Sequence, residues 1–277
     1  MLFRYTLAAL LGTALVTGCA PEDDTDTDVA DTDDTDDTDA AAGGFSISGT
    51  AVDLALSAPA AEGLCVNVSD PTPAITGGEA LVLSETTTAA DGSYTLENVT
   101  TTSSLGLLIV VSDCEDATEH TVMPTATGIA SSSYSDLGDG DSLPGQTSYS
   151  INAELEAGVD ASLTAVGYTG DAIGVAGTFV GFVFDTDGYP LGDATVTCTT
   201  DETVLTYYQD GDPTDGLFST AGAVNSGTDA AAGSLFWIPG APISNYEADH
   251  GSNTGEFQHI GCERFFAQWK LQCGGEQ

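Results

Sequence analysis

Residues 247–264 read EADHGSNTGEFQHIGCER, and Asp249, His250, Glu256, His259 and Cys262 within them are all types that bind metals. Imidazole, carboxylate and thiolate are the ligands of zinc sites. A hairpin turning at Asn253-Thr254-Gly255 would bring His250 near His259, with Glu256 as a further ligand. The spacing matches no compact ligand motif, so surface histidines flanking a turn are the simpler reading. A metal-dependent binding protein or hydrolase using His250, Glu256 and His259 is the alternative. Two acid-rich stretches, DLGDGD at 136–141 and DGDPTD at 210–215, resemble calcium loops in their oxygen content. Neither places a Glu at the twelfth loop position that closes an EF-hand, and both are expected to be polar turns.

Nucleophile signatures are missing. The chain has no Gly-x-Ser-x-Gly, no Cys-x-x-Cys and no phosphate loop ending in Gly-Lys. No enzyme and no cofactor are expected, with calcium or zinc the exceptions that the acids and histidines leave open. Phe265, Phe266, Trp269 and Trp237 would make a sugar-stacking face if exposed, although aromatic residues of a small domain usually fill its core.

Cys19 poses a different chemistry. Met1 and Arg4 give a short positive end, and Tyr5 to Val16 form an apolar run of about a dozen residues, too short for a helix spanning a bilayer core of roughly 30 Å. This reads as a secretory signal over 1–18. The residues Val16-Thr17-Gly18-Cys19 resemble the bacterial lipobox, which implies cleavage before Cys19 and attachment of acyl chains to that residue. Two or three acyl chains on one residue make a lasting membrane anchor, since each buried methylene contributes about 0.8 kcal/mol. Ala20 after the cysteine implies the outer membrane if the sorting logic of enteric bacteria applies.

Within residues 19–44 the stretch from Pro21 to Asp39 alternates Asp with Thr, without an aromatic or basic side chain. Such a segment buries too little apolar surface to offset chain entropy and repels itself, so a disordered tether is expected. The whole chain carries 43 acidic residues against 3 Lys+Arg, a formal net charge of −40. Nucleic acid is excluded as a partner, because phosphate recognition needs clustered Lys and Arg. Membrane contact must rest on the lipid, leaving protein or glycan at the cell surface as the remaining partners.

The elements that would position these groups are strands. In FSISGTAVDLAL, Phe45 and Ile47 alternate with serines, and in LCVNVSD, Leu64, Val66 and Val68 share one phase while Cys65 and Asn67 take the other. ADGSYTLENV sets an Asp91-Gly92 turn before Tyr94 and Leu96, and LGLLIVVSDC is a continuous apolar run suited to a strand covered on both faces. From Thr147 to Tyr168 the period changes: Ile151, Leu155, Val159, Leu163 and Val166 recur at helical spacing, which predicts one amphipathic helix. Beyond it, GTFVGFVFDTDGYPLGDATVTCTT gives a strand, a turn through Asp187-Gly188 and a strand with Ala194, Val196 and Cys198 in phase. TDGLFST then repeats the turn-then-aromatic arrangement of ADGSYTL, so one plan is used twice.

GFVFDTDGYPLGDATVTC, DGLFS and GSLFWIPGAP resemble the carboxypeptidase regulatory-like domain, and SGTAVDLAL, LCVNVSD, ADGSYTLENV and LLIVVSDC look like a diverged copy. The resemblance covers 45–115 and 175–262. It implies a mostly β chain of two prealbumin-like/Ig-like β-sandwich domains, at 45–146 and 173–277, joined by a helical connector at 147–168. It also implies a structural or binding appendage, since catalysis in that family belongs to a separate zinc peptidase domain. No His here opens the His-x-x-Glu pair such a domain needs. Pilin-type sandwiches that lock themselves with a Lys–Asn amide bond need a lysine that the first module lacks, and Lys270 is placed after the strands of the second.

Five cysteines follow Cys19, an odd number in an oxidising compartment. Cys65 with Cys114 is the expected first pair, both lying in strands of one module. Cys198 with Cys262 is expected in the second, with Cys273 as the competing partner. The full expectation is a lipid-anchored cell-envelope protein with a non-catalytic structural or binding role.

Overall fold

Strand alternation at both ends of the first module sets up two sheets with a shared interior. The computed structural model describes residues 43–250, apart from 76–77, 115–119, 186, 212–216, 219–226 and 242–245, together with the backbone of 260–262 and 269–272. Cys19, the tether to residue 42, Glu256, His259 and Cys273 lie outside the described residues, as do the side chains of Cys262 and Trp269.

In chain order the first half contains β1 (Phe45–Asp53), β2 (Ala58–Pro59), β3 (Cys65–Asp70), the single-turn α1 (Thr72–Ile75), β4 (Leu81–Thr87), β5 (Ser93–Val99), β6 (Leu107–Ser112), β7 (Val122–Met123), β8 (Thr125–Ile129) and β9 (Ser142–Asn152). One sheet places β1 antiparallel to β2 and β5 on one side and parallel to β9 on the other, with β7 beyond. The other runs β4-β3-β6-β8, antiparallel throughout. Phe45, Ile47, Tyr94 and Leu96 from the first sheet meet Val66, Val68, Leu107, Ile109 and Val111 from the second in one buried cluster. This is a β-sandwich, and period-2 alternation is what puts those residues inside.

The second half contains α2 (Ala153–Ala165), α3 (Ile173–Ala176), β10 (Thr178–Phe184), β11 (Thr195–Cys198), β12 (Tyr207–Tyr208), β13 (Leu235–Pro239), β14 (Tyr246–Asp249), β15 (Ile260–Cys262) and β16 (Trp269–Gln272). β10 pairs antiparallel with β13 and parallel with β16, while β11, β14 and β15 form a second, antiparallel sheet. Phe179, Val183, Phe236 and Ile238 face Val196, Cys198 and Tyr246 across its core. The strand plan is therefore repeated: β10 stands for β1, β11 for β3, β13 for β5, β14 for β6, β15 for β8 and β16 for β9. The chain is mostly β, as the sequence implies.

The connector differs from expectation. Residues 147–152 are not helical but complete β9, where Ser148, Ser150 and Ile151 are buried. The helix starts at Ala153, with the Asn152 side chain accepting from Leu155 N at 2.8 Å. The helical spacing reaches back to Ile151 because strand end and helix bury into one cluster. There Ile151 and Met123 join Val159 and Leu163 of α2, Ile173 of α3, and Val180, Leu235 and Trp237 of the second sandwich. β10 and β13 are thus covered on both faces, which explains the unbroken apolar runs TFVGFVF and LFWIP. The sandwiches and the helix belong to one compact unit.

A buried threonine ties each sandwich at the same corner. Thr88 donates to Ala61 O at 2.6 Å and accepts from Leu64 N at 3.0 Å. Thr228 donates to Leu191 O and accepts from Ala194 N at 3.0 Å. Each is followed by a left-handed glycine, Gly92 (φ 75°) or Gly233 (φ 71°), and then by the strand that pairs with the sandwich's first strand. The counterpart of Gly92-Ser93-Tyr94 is therefore Gly233-Ser234-Leu235. TDGLFST is not the repeat of ADGSYTL, since Phe218 only bridges to Gln209 ahead of that strand.

Candidate functional site

Several acids of this chain close turns. Asp70, Asp91 and Asp201 each accept from the backbone N–H and the hydroxyl of the Ser or Thr two residues on, at 2.8 and 2.6, 3.0 and 2.6, and 2.9 and 2.6 Å. The hydroxyl of Ser93 and that of Thr203, each seconded by its own N–H, hold the Asp91 and Asp201 carboxyls below the usual carboxylate range. Asp53 and Asp185 end the first strands of the two sandwiches and accept two N–H groups each from the following turn. In DLGDGD, Asp141 Oδ2 accepts from Gly138 N at 2.7 Å and Asp141 O accepts from Ser46 N at 2.9 Å. That stretch leads into β9 and docks it onto β1.

Of the metal candidates, Asp249 ends β14 and the half-buried His250 follows it. The register Ala248↔Ile260 makes β14 and β15 an antiparallel pair whose connection carries Glu256 and His259, both outside the described residues. Among the described residues no three His, Cys, Asp or Glu side chains are grouped to hold a metal ion.

Cys65 is bonded to Cys114, with Cα atoms 4.8 Å apart. Cys65 lies on the outward phase of β3, so the bond closes over the sandwich's outer face rather than through its core. Cys198 is buried in the second core, its Sγ 3.6 Å from Thr200 Oγ1. Cys198 and Cys262 both pair with Tyr246, one on each flank, so their backbones stand two strand spacings apart, about 9.6 Å. A Cys198–Cys262 bond would need a closer approach than this. Trp237 is fully buried and is no part of a sugar face. Lys270 lies inside a strand, β16, opposite Phe182, and not after the strands of its module.

One feature went unnoticed in the sequence. TTTSS at 100–104 and SSSYS at 131–135 come together at one end of the first sandwich and line a cleft of about 410 Å³. The buried rings of Phe45 and Tyr134, stacked with centroids 5.9 Å apart, stand behind it. Tyr134 donates its hydroxyl to Ser103 O at 2.9 Å. Its burial, then the charge of Asp70, push its pKa up. Thr102, Ser104 and Ser135 are exposed, Ser131 is half-buried, and Asp139 adds a carboxylate at the rim. Among the described residues the lining holds no His, Cys or Lys. The hydroxyls and one acid suit hydrogen bonding to a polar, uncharged or cationic ligand. The two serine-rich runs, spaced about one hairpin apart, were the available signal.

At the far end, His120 Nε2 and Glu156 Oε2 of α2 are 2.7 Å apart, joining the first sandwich to the helix. Beside it, burial of Asp113 is outweighed by bonds from the hydroxyl and N–H of Thr121 and from Val122 N, and its carboxyl is held low.

The fold defines a mostly β chain of two sandwiches. No family model matches it, and no curated protein does. Among solved structures it is similar to the shaft pilin SpaA from Lactobacillus rhamnosus GG, at 8% identity over 82% of this chain and 95% of that one, with a TM-score of 0.24. The Bacillus anthracis TIE protein is 10% identical over 82% of this chain and 33% of that one, with a TM-score of 0.23. A streptococcal ancillary pilin is 6% identical over 82% and 67%, with a TM-score of 0.22.

Proposed function

We propose that this chain is a lipid-anchored protein of the bacterial cell envelope, held at Cys19 in the outer membrane. Its role is structural or binding rather than catalytic, and its two domains are the sandwiches at each end of α2. The observation that carries this reading is the repeated strand plan, two sandwiches following one another along the chain. The lipobox-like Val16-Thr17-Gly18-Cys19 and the acidic stretch behind it support the anchoring. The hydroxyl-lined cleft supports contact with a glycan or a polar loop of another protein, while the charge of −40 argues against nucleic acid.

Fractionation of cells expressing the full chain or Cys19→Ala tests the anchor: the native chain should follow the outer membrane and the variant should be soluble. A native chain found in the soluble fraction would contradict it. A glycan array probed with residues 43–277, with and without Ser104→Arg, tests the cleft. A hit lost on substitution supports the glycan version, and a panel without hits removes it.

A further inference from the structure

Each sandwich has its first and last strands side by side and parallel, and the chain enters one and leaves the other at opposite ends. β1 and β9 are registered from Ser46↔Ser142 to Asp53↔Ser150, and β10 and β16 from Gly181↔Trp269 to Phe184↔Gln272. We infer that these pairings are clamps against tension, giving the chain a load-bearing function between its anchored end and whatever its far end holds. The inference rests on the anchoring reading above for the source of the load.

Tension applied where the chain enters β1 and where it leaves β9 pulls the two strands past one another. Their hydrogen bonds cross between the strands, so such sliding loads every bond of the ladder together. Tension across β1 and β5 is different. Phe45 and Val99 are opposite one another at one end of an antiparallel pair, and pulling there opens the bonds one after another.

Both ends of the first clamp are stapled beyond the ladder itself. At the start, Ser46 N donates to Asp141 O at 2.9 Å and Gly140 N to Gly44 O at 2.8 Å. At the finish, Leu54 N donates to Ser150 O at 2.9 Å and Asn152 Nδ2 donates to Asp53 Oδ2 at 3.0 Å. Asn152 also caps α2, so the side chain that closes the clamp starts the helix through which load passes on. The Cys65–Cys114 bond lies in the other sheet and leaves β1 and β9 free to part. It shortens only the length released afterwards.

Single-molecule pulling of residues 43–277 tests the clamp, with handles ligated enzymatically or through an unnatural residue so that no cysteine is added. Pulled from the chain ends, the first sandwich's opening is recognised because reduction lengthens it by about 170 Å, the extended length of the 49-residue loop. Pulled from the chain ends, it should open at a force severalfold higher than when pulled between residues 44 and 100. Asn152→Ser keeps a helix cap but cannot reach Asp53, and should lower the end-to-end force while leaving the 44/100 force unchanged. Equal forces along the two axes would overturn the clamp and leave the anchor untouched. An unacylated Cys19 would overturn the anchor and leave the forces as they are.

Discussion

Thr88 and Thr228 do the same work in different sandwiches. Each buried hydroxyl donates to the carbonyl of a residue (Ala61 or Leu191) and accepts from the N–H of the residue three further on (Leu64 or Ala194). Each threonine's own N–H donates to the carbonyl of that second residue. The corner leading into β3 and β11 is thus closed by one residue, through its hydroxyl and its own N–H together.

Replacing either threonine by valine keeps the shape and strands a buried N–H and a partly buried carbonyl. The cost should be about 1–3 kcal/mol for each variant. Serine at the same positions should recover most of it, because the lost partner is the hydroxyl and not the methyl. Urea unfolding of residues 43–277 measures this, and a valine variant as stable as its serine counterpart would remove the tie's importance.

Two glycines should respond in opposite directions. Gly158 lies inside α2 with open space where a Cβ would go, so Gly158→Ala should stabilise by about 1 kcal/mol. Gly92 has φ 75°, and a Cβ there would sit 2.6 Å from Ala51 O. Gly92→Ala should destabilise by more than about 1 kcal/mol, and thermal melts of the pair read both signs.

Removing the Cys65–Cys114 bond, which spans 49 residues, should cost about 4 kcal/mol on a chain-entropy argument. The Cys65→Ala/Cys114→Ala double variant, compared with the oxidised parent in denaturant, gives the value. Because the bond restrains the unfolded chain, its removal should also let that chain expose more surface and raise the m-value.

Stability should fall at both ends of the pH range for different reasons. Burial pushes Tyr94 up to about 12. Its folded value is above the unfolded one, so its contribution is whole below pH 10 and is lost as pH rises toward 12. Tyr94→Phe should flatten that alkaline limb. Asp91, Asp113 and Asp201 are held below the ordinary 3.8, so what they contribute is present above that pH and disappears as the solution is acidified through their folded values. Asp113→Asn should reduce the acid limb's slope in a pH series of melts, and an unchanged slope would show that its bonds to Thr121 and Val122 do not matter.

Much of this architecture was legible in the sequence because one face of each strand is buried. Val66 and Val68 against Cys65 and Asn67 gave the phase of β3, with Cys65 on the face away from the core. The connector misled because Ile151, the last buried residue of β9, stands in helical step with Leu155 and Val159. Periodicity reports which residues share an apolar cluster, and here a strand and a helix share one. The second copy of the turn was misplaced because an Asp-Gly pair is a commoner signal than Thr228 and Gly233, whose role shows only when the corner is closed. The cleft was invisible for a related reason: its serines are ordinary until two distant loops bring them together.

The anchoring of this fold at Cys19 is tested most directly by the intact mass of the mature protein extracted from membranes. The account predicts a chain that begins at Cys19, lacks residues 1–18 and carries the added mass of two or three acyl chains on that residue. A mature chain with an unmodified N-terminus, or one still retaining its first 18 residues, would contradict it.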